Sequence, residues 1–279
     1  CNFTTENQLF APEFDSTATT AQTWTLVTRT LVFGGTMTIE DGGAEAVTNT
    51  LSTGIDIAVT GGAFTIGTGG ALTGNASTIT VNGNWDSSAG TFTVNTSTVV
   101  FATSGNVDVP TSDALTSRFY NVTINVSITT TMLDSFGVTN ISTVNGTLAG
   151  AFAIGVGNTS GQATPLVVGG SGSVASTGTT VHYLTNGAAN VASTTYTNMT
   201  INNYNGVAVD IALGNITVNG TLGLVTALNM STFNLSSVAV FEGSGGAGCM
   251  QWGSGSHTIT GSYTTACTNA LADAGTGTV

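Results

Sequence analysis

The chain has 279 residues, a formal net charge of −12 and only 6% charged side chains. Lys is absent, and Arg29 and Arg118 face fourteen acids, so nothing is present to neutralise phosphates or to form a polybasic membrane anchor. Nucleic acid is thereby excluded as a partner, and no long apolar helical run predicts a transmembrane span. Hydrophobic residues at 41% suffice for a core.

Residues 1–22 hold Glu6, Pro12, Glu13 and Asp15 with little alternation, and are expected to form an extended arm. Leu9, Phe10 and Phe14 are its candidate contacts for the edge of a neighbouring copy, by strand addition. Strand material begins at Trp24–Phe33. From there apolar residues alternate with period two: Ile55, Ile57 and Val59; Phe64 and Ile66; Ile79 and Val81; Phe92 and Val94. Val122, Ile124, Val126 and Ile128 make the longest run, and Val207, Val209 and Ile211 repeat it. Gly-Gly and Asn-Gly pairs punctuate these runs, among them Gly61-Gly62, Asn82-Gly83, Asn145-Gly146 and Asn219-Gly220. They read as turns, because Gly and Asn tolerate positive φ. Short strands at this spacing predict an all-β chain.

The phrase Val-Asn-Gly recurs at Val81–Gly83, Val144–Gly146 and Val218–Gly220, and the last two extend through Thr-Leu. Thr98–Phe101, Thr180–Tyr183 and Val238–Phe241 follow as β-branched runs ending in an aromatic. A Gly/Ser segment, Gly155–Gly178, is expected to loop out. These units fit a parallel β-solenoid over residues 23–279, with about thirteen coils and a length on the order of 60 Å. Antiparallel β-sandwich domains with Asn-Gly hairpins are the alternative.

These repeats resemble the Gly/Thr/Asn-rich repeats of secreted β-solenoid proteins of prokaryotic surfaces, such as adhesin passengers and sheath or envelope filament proteins. The resemblance spans Ile55–Tyr263 and implies a cell-surface structural or adhesive role. An edge-to-edge or end-to-end polymer of copies of the chain suits a sequence with no Lys and three Pro to defend its strand edges. A surface adhesin that binds glycans is the alternative, and a solenoid enzyme acting on polysaccharide is a third reading.

Cys249 and Cys267 lie close enough in sequence to pair by disulfide and to pin a C-terminal cap around 249–267, given an oxidising compartment. Cys1 is left over, with cross-linking to a neighbour, lipidation or a free thiol open to it. Its position reads as that of a processed mature chain. Thirteen Asn-x-Ser/Thr sequons mark candidate glycosylation sites: Asn2, Asn75, Asn95, Asn121, Asn125, Asn140, Asn145, Asn158, Asn198, Asn215, Asn219, Asn229 and Asn234. Asn145 and Asn219 are preferred, as residues of exposed Asn-Gly turns.

Material for catalysis is sparse, and the chain is expected not to be an enzyme or to use a cofactor. His182 reads as a surface strand residue, and His257 has no metal-ligand company. Gly253–Ser256 only partly matches a nucleophile elbow. Asp86, Asp108, Asp113 and Asp134 are scattered singly, with Arg118 as the nearest base, whereas glycosidase chemistry needs two placed carboxylates. The acidic run Glu40–Glu45 lacks the ligand spacing of a calcium loop and reads as a solvated turn. Trp85 reads as core or cap packing.

Overall fold

The computed structural model describes residues 8–9, 13–14, 21–26, 30–40, 48–111, 115–158, 160–175, 177–203, 209–243 and 249–265. Every strand pairing among them is parallel, and the chain is a right-through β-solenoid with no antiparallel sandwich.

Three faces recur in strict rotation along the chain. The first face starts with Gln8–Leu9, Leu31–Phe33 and Ile57–Val59 and ends with Met250–Gln251. The second starts with Glu13–Phe14 and Met37–Ile39 and ends with His257–Ile259. The third runs from Thr23–Leu26 to Tyr263–Thr264. Where the second face is interrupted, the bridges Thr147↔Ser173 and Val174↔Tyr196 carry it on. Counted this way, the described residues make twelve coils, close to the expected thirteen. At the usual strand spacing that is roughly 50 Å of axis.

Coil length follows from register. Ile57, Ile79, Val99, Val122 and Ser142 are successive partners on the first face, in steps of 20 to 23 residues. The longest steps are 27 residues, from Thr23 to Thr50, from Met37 to Phe64 and from Ile154 to Val181. The last contains the Gly/Ser segment expected to loop out, yet Leu166–Val168 within that segment keeps its place on the first face.

Alternation puts one column of apolar side chains inside each face. Phe33, Val59, Val81, Phe101, Ile124 and Val144 stack in register and are all buried. Trp85 is fully buried, with its ring stacked on Phe64 at 4.9 Å and tilted against Phe92 at 5.0 Å.

Among the described residues most of the Gly-Gly and Asn-Gly signals mark corners between the faces, and none closes a hairpin. At the corner between the first and second faces, Gly61, Gly83 and Gly105 lie over the backbones of Gly34, Gly62 and Gly83 of the preceding coil. A Cβ on Gly83 would stand 2.6 Å from the Gly62 carbonyl oxygen. Close approach of coil to coil, more than turn geometry, requires Gly there. Asn219-Gly220 is no turn at all. It lies inside the continuous strand Ile216–Leu224, whose pairing with Leu235–Glu242 shifts register between Val218 and Thr221. These two long strands straighten the corner between the second and third faces.

Two runs read from alternation differ in the structure. The strand Asn121–Ile124 ends before Val126, which is an exposed corner residue. In the strand Val209–Ala212, Ile211 points outward and Asp210 is fully buried, the reverse of the alternation expected from Val207, Val209 and Ile211.

The expected arm is also different at the residues described. Gln8–Leu9 pairs with Val32 and Phe33, and Glu13–Phe14 pairs with Thr38 and Ile39. These four backbones are the first coil of their own chain and are not extended toward a neighbour. The side chains of Leu9 and Phe14, and all of Phe10, lie outside the described residues.

Candidate functional site

Polar side chains gather in three places: along one corner, on the outside of the second face, and inside the later coils. The corner between the third and first faces carries a ladder of short polar residues. Thr53 Oγ1 and Ser77 Oγ are 2.6 Å apart. Asn140 Nδ2 donates to Asn121 Oδ1 at 2.9 Å, and Gln162 Nε2 donates to Asn140 Oδ1 at 3.0 Å. Further along, Thr185 Oγ1 bonds Asn203 Oδ1 at 2.8 Å, and the Asn203 N–H donates to Thr226 Oγ1 at 3.0 Å. Each rung satisfies backbone and side-chain groups that turning inward would otherwise orphan. The signal was present in the sequence as an inward apolar residue followed two positions later by Asn or Thr: Phe119–Asn121, Val138–Asn140, Tyr183–Thr185, Ile201–Asn203 and Leu224–Thr226.

On the second face the structure brings together acids that looked isolated. Asp86 and Asp108 are register partners on adjacent coils, and Asp108 shares a hydrogen bond with Asp134 of the next coil. Thr111 Oγ1 donates to Asp134 Oδ1 at 3.2 Å. Partial burial, then the Asp86 charge, then the bond to Asp134 push the Asp108 carboxyl above its ordinary value. Arg118 donates to the Pro110 carbonyl oxygen at 3.1 Å, close by in sequence. The column therefore corrects the reading of singly scattered carboxylates. Asp113 lies outside the described residues.

Two interior carboxylates had not been singled out. Asp210 Oδ1 accepts from Ala189 N at 2.7 Å and from Asn203 Nδ2 at 3.0 Å, while its Oδ2 is buried without a partner. Above it, Tyr183 and Tyr196 join their hydroxyls at 2.9 Å in a fully buried pair. Glu242 is also buried and accepts from Met250 N at 2.9 Å. In the last coil described, the buried Trp252 packs against His257 at 5.1 Å and against the exposed Tyr263 at 5.9 Å. Burial holds both imidazoles below their ordinary value: His182 is half-buried on the third face, and His257 is almost fully covered. No group of three or more His, Cys, Asp or Glu among the described residues is placed to hold a metal ion. No helix among them is long and apolar enough to cross a membrane. Glu40 is the one described residue of the acidic run 40–45.

The sequons divide by the state of Nδ2, the atom that takes the sugar. Asn158 is buried and its Nδ2 donates to the Leu115 carbonyl oxygen at 2.8 Å, so a sugar has no room there in the folded chain. The Nδ2 atoms of Asn75, Asn121 and Asn140 are likewise donated into the corner ladder. Asn95 is exposed, with Nδ2 turned to Asn75. Asn125, Asn145, Asn198 and Asn229 are half-buried. Asn215, Asn219 and Asn234 are exposed, and the first and third accept main-chain bonds through Oδ1, leaving Nδ2 outward. Asn2 lies outside the described residues. The expected outcome for native chain carrying N-linked sugar is occupancy at Asn219, Asn215 or Asn234 and none at Asn158. Glycopeptide mapping checks it, and sugar on Asn158 would contradict the burial argument.

Cys249 is half-buried next to Met250–Gln251, while Cys1 and Cys267 lie outside the described residues. No family model, curated protein or solved structure matches the chain.

Proposed function

We propose that the chain is a non-enzymatic structural subunit of an extracellular filament, sheath or surface layer, in which copies stack end to end. The observation that carries this reading is the matching geometry of the two ends. The first coil offers Gln8–Leu9, Glu13–Phe14 and Thr23–Leu26, and the last offers Met250–Gln251, His257–Ile259 and Tyr263–Thr264, on the same three faces in the same order. Among the described residues no strand pairs with the outer edges of either set. A second copy in the same orientation would continue all three parallel ladders, with main-chain bonds supplying affinity. Because Gln8–Leu9 and Glu13–Phe14 belong to the first coil, the junction works as an added coil and needs no reaching arm.

An external setting is part of the proposal. A Cys249–Cys267 disulfide belongs to that setting. Mapping of a non-reduced digest is expected to recover the Cys249–Cys267 peptide pair; a different pairing would move the cap elsewhere.

Electron microscopy of the purified full chain tests the assembly. Periodic fibres or sheets are expected. Placing Lys at two outward positions of the last coil, Thr258→Lys with Thr264→Lys, should abolish them while leaving the circular dichroism spectrum unchanged. Isolated rods at high concentration, or a double variant that polymerises normally, would overturn the end-to-end reading.

A further inference from the structure

The interior of the eighth to tenth coils carries the corner ladder on into a buried acid. Thr185, at the corner after the strand Thr180–Tyr183, is fully buried, and its hydroxyl lies 2.8 Å from the side-chain oxygen of Asn203. Asn203 occupies the equivalent corner one coil later, after Asn198–Ile201, and is also buried. The Asn203 amide nitrogen donates to Asp210 Oδ1 at 3.0 Å, and Asp210 keeps a second, buried oxygen with no partner. An alcohol, a carboxamide and an acid thus meet in sequence, shielded from water.

We propose that Thr185 and Asn203 form an intramolecular ester, with Asp210 as the acid–base group that drives it. Thr185 Oγ1 attacks Asn203 Cγ, and its proton passes to Asn203 Oδ1 to give a neutral tetrahedral centre. Asp210, protonated, delivers a proton to Nδ2. The C–N bond breaks and ammonia leaves. The proton on Oδ1 returns to the Asp210 carboxylate as the carbonyl re-forms. One C–O bond is made and one C–N bond lost, with no change in oxidation state and no co-reactant.

Three features favour the step. The reacting groups are held by the solenoid itself, so the entropy of bringing alcohol and amide together is already spent in folding. Burial pushes the Asp210 carboxyl up to about 6, so the acid form predominates below that pH and only a minor fraction of it persists at neutral pH. Water that would hydrolyse the ester is excluded by the core around Tyr183, Tyr196 and Ile201. The link would fasten the eighth coil to the ninth just after a 27-residue step, where isolated bridges carry the second face.

Mass spectrometry of the purified full chain, incubated between about pH 5 and 7, tests the proposal without any variant. The expected result is a chain one ammonia lighter than its sequence. Its digest should contain a branched peptide joining Thr185 to Asn203 that survives reduction and is cleaved by hydroxylamine. Asp210→Asn keeps both hydrogen bonds to Oδ1 but removes the acid, and Thr185→Val removes the nucleophile. Each should yield the unbranched peptides at full mass. Unlinked Thr185 and Asn203 in the wild-type digest would overturn the proposal. So would ammonia loss located at Asn205-Gly206 alone, or a branched peptide undiminished in the Asp210→Asn chain.

Discussion

Trp85→Ala is expected to destabilise the solenoid by about 3–5 kcal/mol, the usual cost of deleting a large buried aromatic. The ring is fully buried and is the hub of an aromatic cluster reaching across four coils. It stacks on Phe64 with an interplanar angle of 11°, meets Phe92 at 59°, and presents an edge to Phe119 at 5.5 Å. Phe119 in turn packs edge-on against Phe101 and Phe136. Trp85 Nε1 donates to Ser87 Oγ at 3.0 Å, so the one polar atom of the ring is satisfied inside the core. Removing the indole leaves a cavity that parallel strands on three faces cannot close, because each is held in register above and below. In a solenoid, contacts run only between neighbouring coils, so the loss should open the central coils first. Denaturant unfolding would show a lowered midpoint, and limited proteolysis would cut first within coils three to six. Trp85→Phe should cost clearly less, since the stack on Phe64 survives. A loss below about 1 kcal/mol for the Ala variant would mean the cluster is not the keystone it appears geometrically.

Much of this fold was legible because its inward residues obey period two. Ile57 and Val59, Phe64 and Ile66, and Ile79 and Val81 all point inward as alternation requires. The longer Val-Asn-Gly repeat was misleading. Val81 and Val144 share a column on the first face, but Val218 lies on the second. What repeats physically is the single coil. Its inward positions accept any β-branched or aromatic residue, so sequence phrases drift from face to face without penalty. Corners were harder still, since Gly that permits close backbone approach looks the same in sequence as Gly that forms a hairpin.

The polar sites were less legible for a related reason. Asp86, Asp108 and Asp134 are separated by a whole coil each, and only register makes them neighbours. Asp210 was hidden by its own neighbours. Val209 and Ile211 flank it in a pattern that places the carboxylate in solvent, and the strand adopts the opposite orientation. Burying Asp210 while exposing Ile211 runs against the hydrophobic effect. It is tolerated because Ala189, Asn203 and the corner ladder supply donors that an exposed carboxylate would not need. A local departure from pattern that the surroundings are built to support is where a special role is expected.

Asp210 also sets an expected pH dependence. Burial raises its carboxyl to about 6, partly offset by the bonds from Asn203 and Ala189, against an ordinary value of 3.8. Between those two values the folded chain holds a proton that the unfolded chain has released. Stability therefore falls as pH rises through this window, and the full loss is reached above about 6. A shift of this size corresponds to a cost on the order of 3 kcal/mol at neutral pH relative to pH below 4. Asp108, half-buried and also raised, acts in the same direction with a smaller, solvent-screened contribution. Tyr183, the other titrating group near Asp210, has its hydroxyl pushed upward and stays neutral throughout the range. Denaturant midpoints should accordingly be higher at about pH 4.5 than at about pH 8. Asp210→Asn keeps the Oδ1 acceptor and carries no titrating group, so it should flatten most of that slope whatever its effect on absolute stability. Wild-type stability that is level or rising across the interval, or an Asp210→Asn chain with an unchanged slope, would show that Asp210 is not the group responsible.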